Sequence, residues 1–119
     1  MSAVEITRAD GRHLATVTVA DTALRAARGL SFRAPIAADA GMWFPKVASI
    51  HMMGMRFPLD VLFMGEAAAD GTREIMAIAR GVRPWTGLAA CRGADGCLEL
   101  VAGAADTLQA GERLGFRLV

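Results

Sequence analysis

No apolar run in this chain approaches the ~20 residues that a membrane-spanning helix needs, because Gly, Arg or Asp interrupts each one. Charge of one sign is missing too: 13 basic and 12 acidic residues are interspersed and leave a net charge of +1. No broad field exists to attract phosphate backbones or anionic lipid, so neither nucleic acid nor a membrane is an expected partner. Large rings are scarce, at 6% of residues against 54% hydrophobic, with Ala supplying much of the latter. The expected core is well filled but light in aromatics. Lysine occurs once, at Lys46. The remaining basic residues are Arg, whose fork suits planar carboxylates or phosphates, although a GC-rich coding sequence explains the same bias. The start, Met1 to Asp10, carries Glu5 and Asp10 and lacks the basic, apolar, small-residue order of a secretory signal, which makes the cytoplasm the expected location. The only cysteines, Cys91 and Cys97, are six apart, which matches neither a zinc knuckle nor a redox pair. Two thiols are expected, with Cys97 a small buried hydrophobe.

A chain of 119 residues suits one domain, here residues 1–119, with one core and an expected monomeric state. Val4 and Ile6 alternate with polar neighbours, Asp10-Gly11 is a two-residue turn signal, and Leu14 to Val19 alternates again, which reads as a hairpin. Asp21 as N-cap and Gly29 as stop bracket a short helix, and Ser31 to Asp39 reads as a loop. Strands are expected at Gly41–Phe44, Val47–Met52, Leu59–Met64, Glu74–Ala79, Cys97–Val101 and Arg113–Leu118, with a helical turn over Gly103–Gln109. Leu59–Met64 is nearly all apolar, as in a strand covered on both faces. Arg80 to Gly96 shows little periodicity and reads as a long connection, and such loops often carry function. Short strands joined by Gly and Pro turns predict a mainly β fold, α+β at the margin. A small barrel or sandwich is expected, with the two short helices plugging its ends or covering an edge.

The stretch Gly41-Met42-Trp43-Phe44-Pro45, followed by Ile50-His51-Met52-Met53-Gly54-Met55-Arg56-Phe57-Pro58-Leu59-Asp60-Val61-Leu62-Phe63-Met64, resembles the core motif of the family called Domain of Unknown Function 192. In that family an aromatic or His and a Met precede Pro-Leu/Ile-Asp and a hydrophobic strand. Arg28-Gly29-Leu30 is similar to its helix-ending motif, Arg83-Pro84-Trp85 to its mid-chain loop, and Leu98-Glu99-Leu100-Val101-Ala102-Gly103 to its late strand and turn. Val101-Ala102 stands where the family has Pro, and Glu112 where Asp often follows Gly. Both changes fall at turns that Gly103 and Gly111 still define. The resemblance implies a mainly β fold and no established activity, and many members resemble exported proteins.

Alternation places Asp60 on one strand face with Leu62 and Met64, at least half buried, where a carboxylate needs Arg56, His51 or backbone N–H groups as partners. It is either a structural residue capping the Gly54 to Pro58 turn or part of a ligand site. His51 could act as acid, base or ligand, and with Asp60 and Cys91 it supplies the residue types of a nucleophilic site, although the flanking patterns of known hydrolases are absent. The run His51-Met52-Met53-Gly54-Met55 carries donors that suit Cu(I), but strand alternation sends Met52 away from its neighbours, and Met commonly fills cores. Trp43 and Trp85, with Arg28, Arg56 and Arg83, could line a groove for a sugar, peptide or anion; alternatively Trp43 is core and Trp85 closes a barrel end. Glu99 faces away from Leu98 and Leu100 and could pair with one of these arginines. The leading expectation is a non-catalytic module that binds an unknown small molecule or peptide near the His51–Asp60 bend, through His51, Met55, Arg56, Asp60, Arg83, Trp85 and Arg28, with no metal or other cofactor. The alternatives are a hydrolase using His51 and Asp60, and soft-metal binding through His51–Met55.

Overall fold

The computed structural model describes residues 2–20 and 37–119. The helix expected from Asp21 to Gly29, most of the loop expected after it, and Arg28 lie outside the described residues. Among the described residues nine strands follow one another: β1 (Ala3–Thr7), β2 (His13–Val19), β3 (Ala40–Pro45), β4 (Ser49–His51), β5 (Leu59–Met64), β6 (Thr72–Val82), β7 (Leu88–Ala90), β8 (Gly96–Val101) and β9 (Arg113–Leu118). Seven of them close on themselves in the order β1-β2-β3-β8-β5-β6-β9, with β9 pairing back onto β1. β4 and β7 pair only with each other, as a separate antiparallel ribbon. Every pairing is antiparallel except β2 with β3. Register shifts in the β5–β6 ladder bend those strands, as closure of a sheet requires.

Period-two alternation divides the core into two. Inside the closed sheet lie Val4, Ile6, Val17, Trp43, Leu62, Met64, Leu98 and Leu100, with Ala105 and Leu108 plugging one end. On its outer side lie Met42, Phe44, Leu59, Val61, Phe63 and Cys97, covered by Met52, Met55 and Phe57. β5 contributes to both clusters and is buried at all six positions, as its apolar run predicts.

A mainly β fold matches the sequence reading, and three details do not. Gly103–Gln109 is not a helix: Ala104, Asp106 and Leu108 donate to the carbonyls three residues back, giving successive turns that never settle into the four-residue ladder. The expected connection from Arg80 to Gly96 holds the end of β6 and all of β7. Small residues (Ala79, Gly81, Ala89, Ala90) blunt the hydrophobic period there, so pairing across the sheet, not local pattern, defines these strands. The strand expected at Val47–Met52 shrinks to Ser49–His51, because its ribbon partner is only three residues long.

Candidate functional site

The β4–β7 ribbon lies against the outer cluster through one face only. Ile50 and Ala89 point inward and pack there, so alternation turns Ser49, His51, Leu88 and Ala90 outward, and all four are exposed. Ser49 lies opposite Ala90, and His51 opposite Leu88. Two small side chains beside two larger ones leave a depression of about 470 Å³, lined by the six ribbon residues. The ribbon is closed at one end by Cys91 N–H donating to the Ala48 carbonyl (2.9 Å) and at the other by Met52 N–H donating to the Gly87 carbonyl (3.0 Å).

Next to that second end stands the Arg83-Pro84-Trp85 loop. Trp85 N–H donates to the Met52 carbonyl (2.9 Å), Thr86 N–H to the Pro84 carbonyl (2.7 Å), and Gly87 N–H to the Arg83 carbonyl (3.0 Å). Trp85 is therefore the centre of a γ-turn, and its φ of 66° makes this the rare, strained form. Only glycine fits at 87, where a Cβ would overlap the Arg83 carbonyl and the Val82 side chain. This tight loop holds the Trp85 indole 58% exposed, beside the ribbon whose Leu88 is 78% exposed and the bend whose Met53 is 67% exposed. Arg83 is exposed as well.

Asp60 is in a different place. Its carboxylate points inside the closed sheet and is 1% exposed. One oxygen accepts Gly81 N–H (2.9 Å) and the other accepts Gly103 N–H (3.0 Å) and Ala105 N–H (3.1 Å). The Arg80 guanidinium donates to the carbonyls of Ala105 (2.6 Å) and Leu108 (2.5 Å). Together the two side chains tie the end of β6 to the turns that plug the barrel. The turn expected for Asp60, Gly54 to Pro58, is not the one it caps; the N–H groups that it accepts lie 21 to 45 residues further along the chain.

The structure thus brings His51, Arg83 and Trp85 to one outward region, with Met53, which the sequence offered only as a soft-metal donor, and Leu88, which it did not offer. Asp60 lies inside, Met55 is buried in the outer cluster at 5% exposure, and Arg56 is exposed. Trp43 is not a groove residue: it is 4% exposed inside the barrel, edge-on to Phe116 (4.9 Å) with the Arg73 guanidinium over its ring (4.9 Å). Glu99 is 7% exposed on the outer side, and no arginine pairs with it among the described residues. Burial alone pushes its carboxyl up to about 7, and burial with the neighbouring Glu99 pushes the Cys97 thiol up to about 12. No group of three or more His, Cys, Asp or Glu side chains is arranged to hold a metal among the described residues. No helix among them is long and apolar enough to cross a membrane.

Comparison with known proteins places these features in a wider set. The family model of Domain of Unknown Function 192, described as an uncharacterised ACR, matches residues 4–116. A crystal structure from Sinorhizobium meliloti 1021, of a protein proposed to be a transcription regulator, superposes with a TM-score of 0.78 at 29% identity, covering 97% of this chain and 92% of that one. A protein of unknown function from Novosphingobium aromaticivorans DSM 12444 superposes with a TM-score of 0.73 at 27% identity, covering 94% and 82%. No curated protein matches the chain.

Proposed function

The chain belongs to the Domain of Unknown Function 192 family, which brings no activity with it, and we propose that it is a non-catalytic binding module. Its ligand, a small molecule or peptide, would rest on the outward face of the β4–β7 ribbon and against the Trp85 loop. The observation that carries this reading is Trp85: a bulky residue in a left-handed γ-turn, more than half exposed, with Met53 and Leu88 exposed nearby. Strain of that kind costs about 1–3 kcal/mol. Exposure of the indole forgoes about 2 kcal/mol of burial. An occupant that covers the indole recovers that burial.

The alternatives have less support. A hydrolase using His51 and Asp60 needs a carboxylate oxygen available to the imidazole, and both Asp60 oxygens accept backbone N–H groups inside the barrel. A soft-metal site needs His51 and the methionines to converge, yet Met52 and Met55 are buried while His51 and Met53 are outward. The regulatory role proposed for the Sinorhizobium meliloti protein fits a module that acts by binding without chemistry of its own.

The test is amide NMR of labelled protein against a library of small aromatic and apolar fragments and short peptides. Expected shifts cluster at His51, Met53, Trp85 and Leu88, and Trp85→Ala abolishes them. Shifts confined to another surface, or none from any probe, would overturn the assignment.

A further inference from the structure

The two segments that build this face have an unusual charge balance. Residues 46–59 and 75–94 hold five of the thirteen basic residues (Lys46, Arg56, Arg80, Arg83 and Arg92) and none of the twelve acidic ones. The rest of the chain is therefore net acidic. Arg80 is committed to the barrel plug through the Ala105 and Leu108 carbonyls. Lys46, Arg83 and Arg92 are exposed, and none of the three is paired with a carboxylate among the described residues. The closest acidic side chain in sequence, Asp95, is bound to Arg73 at 3.0 Å.

The fold gives those charges an order. Cys91 bonds to Ala48, which brings Lys46 and Arg92 to one end of the ribbon. Arg83 belongs to the loop bonded to Met52 at the other end. Between them run the depression over Ser49 and Ala90, the His51–Leu88 pair, and then Met53 and Trp85. Cations at both ends of an apolar strip fit an elongated occupant that has negative charge on either side of an apolar anchor. A compact anion would reach only one end.

Resting on the binding reading above, we propose that the occupant is an acidic segment of another polypeptide, extended along the ribbon. Its apolar or aromatic side chain sits against Trp85 and Leu88, and its carboxylates reach Arg83 at one end and Lys46 and Arg92 at the other. Arginine supplies forked pairing to carboxylates, and opposite charge steers encounter more than it adds affinity.

An array of short peptides tests the inference: acidic, neutral and basic residues are each alternated with every apolar residue type. Fluorescence anisotropy of the strongest peptide of each set, and of single-stranded and duplex DNA, completes it. The acidic set is expected to bind in preference, more weakly as salt is added. Arg83→Ala and Arg92→Ala should each lower affinity about threefold, and Trp85→Ala about tenfold. If the neutral or basic set binds equally well and Trp85→Ala still weakens binding, the acidic assignment falls and the binding module stands. If no peptide binds while fragments still shift Trp85 and Leu88, the polypeptide occupant falls alone. Tighter binding of DNA, lost in Arg83→Glu, overturns the inference in favour of nucleic acid. Silence from peptides, DNA and fragments together removes both readings.

Discussion

Asp60 and Trp85 break the same rule in opposite directions. One is a carboxylate at 1% exposure and the other an indole at 58%. For Asp60 the fold supplies full compensation, because three backbone N–H groups converge on its two oxygens and give the charge what water would have given. For Trp85 the fold supplies the opposite: a strained turn, locked by Gly87, that keeps the ring out. A violation that the structure explains from within is architecture. One that it enforces at a cost points outward to something that binds.

The sharpest way to break that contrast is to remove each residue and measure stability by urea unfolding. Asp60→Ala leaves three N–H groups without an acceptor and should cost about 4 kcal/mol, with Asp60→Asn intermediate. A cost under about 1 kcal/mol would mean that the carboxylate is not what holds the barrel plug.

Glu99 sharpens the comparison, as a buried carboxyl that no arginine meets among the described residues. Burial raises it from 4.5 to about 7, so the folded state keeps a proton that the unfolded chain releases. Its contribution to stability is whole below pH 4.5 and is lost as pH rises through about 7. Glu99→Gln should therefore be more stable than the parent above pH 7, by up to about 3 kcal/mol, with the difference vanishing below pH 4.5. A difference that does not change with pH would show that the side chain is not desolvated.

Trp85→Gly should leave stability unchanged or raise it by about 1 kcal/mol, since glycine relieves the positive φ at the expense of a ring with little to bury. The same change should abolish ligand-induced NMR shifts. Loss of stability comparable to that of Asp60→Ala would make Trp85 a structural residue and erase the contrast. The smallest effect concerns the thiols. Cys97, pushed up to about 12 and fully buried, should resist a thiol reagent until the chain unfolds, whereas partly exposed Cys91 should react in the native state. Two thiols reacting at equal rates would mean that the outer cluster opens easily.

Much of the fold could be read from residues. The alternation at Val4–Ile6 and Leu14–Val19 around Asp10-Gly11 reads as the hairpin it forms, and the unbroken apolar run Leu59–Met64 reads as a strand covered on both faces. β7 could not be read, because Leu88-Ala89-Ala90 has no contrast between its faces until Ala89 meets the outer cluster and Leu88 meets solvent. The site was half legible. His51, Arg83 and Trp85 stand out as residue types in bends, whereas Met53 stands out only as a soft-metal donor and Leu88 looks like an ordinary core residue. The absence of acid from residues 46–59 and 75–94 is visible in sequence, yet it acquires meaning only when hydrogen bonds at Met52 and Cys91 lay the two segments side by side.

The sequence by itself determined the mainly β character and the family of this protein, since turn residues and period-two patterning act between neighbours along the chain. The partners of Asp60, and the side of the molecule on which each aromatic lies, were decided by tertiary structure. The three amides bound to Asp60 lie 21 to 45 residues away from it. Trp43 and Trp85 differ in exposure because one alternates into a closed barrel and the other is held out by a γ-turn anchored on Met52. Such pairings depend on which strands meet, and local propensity carries no record of that.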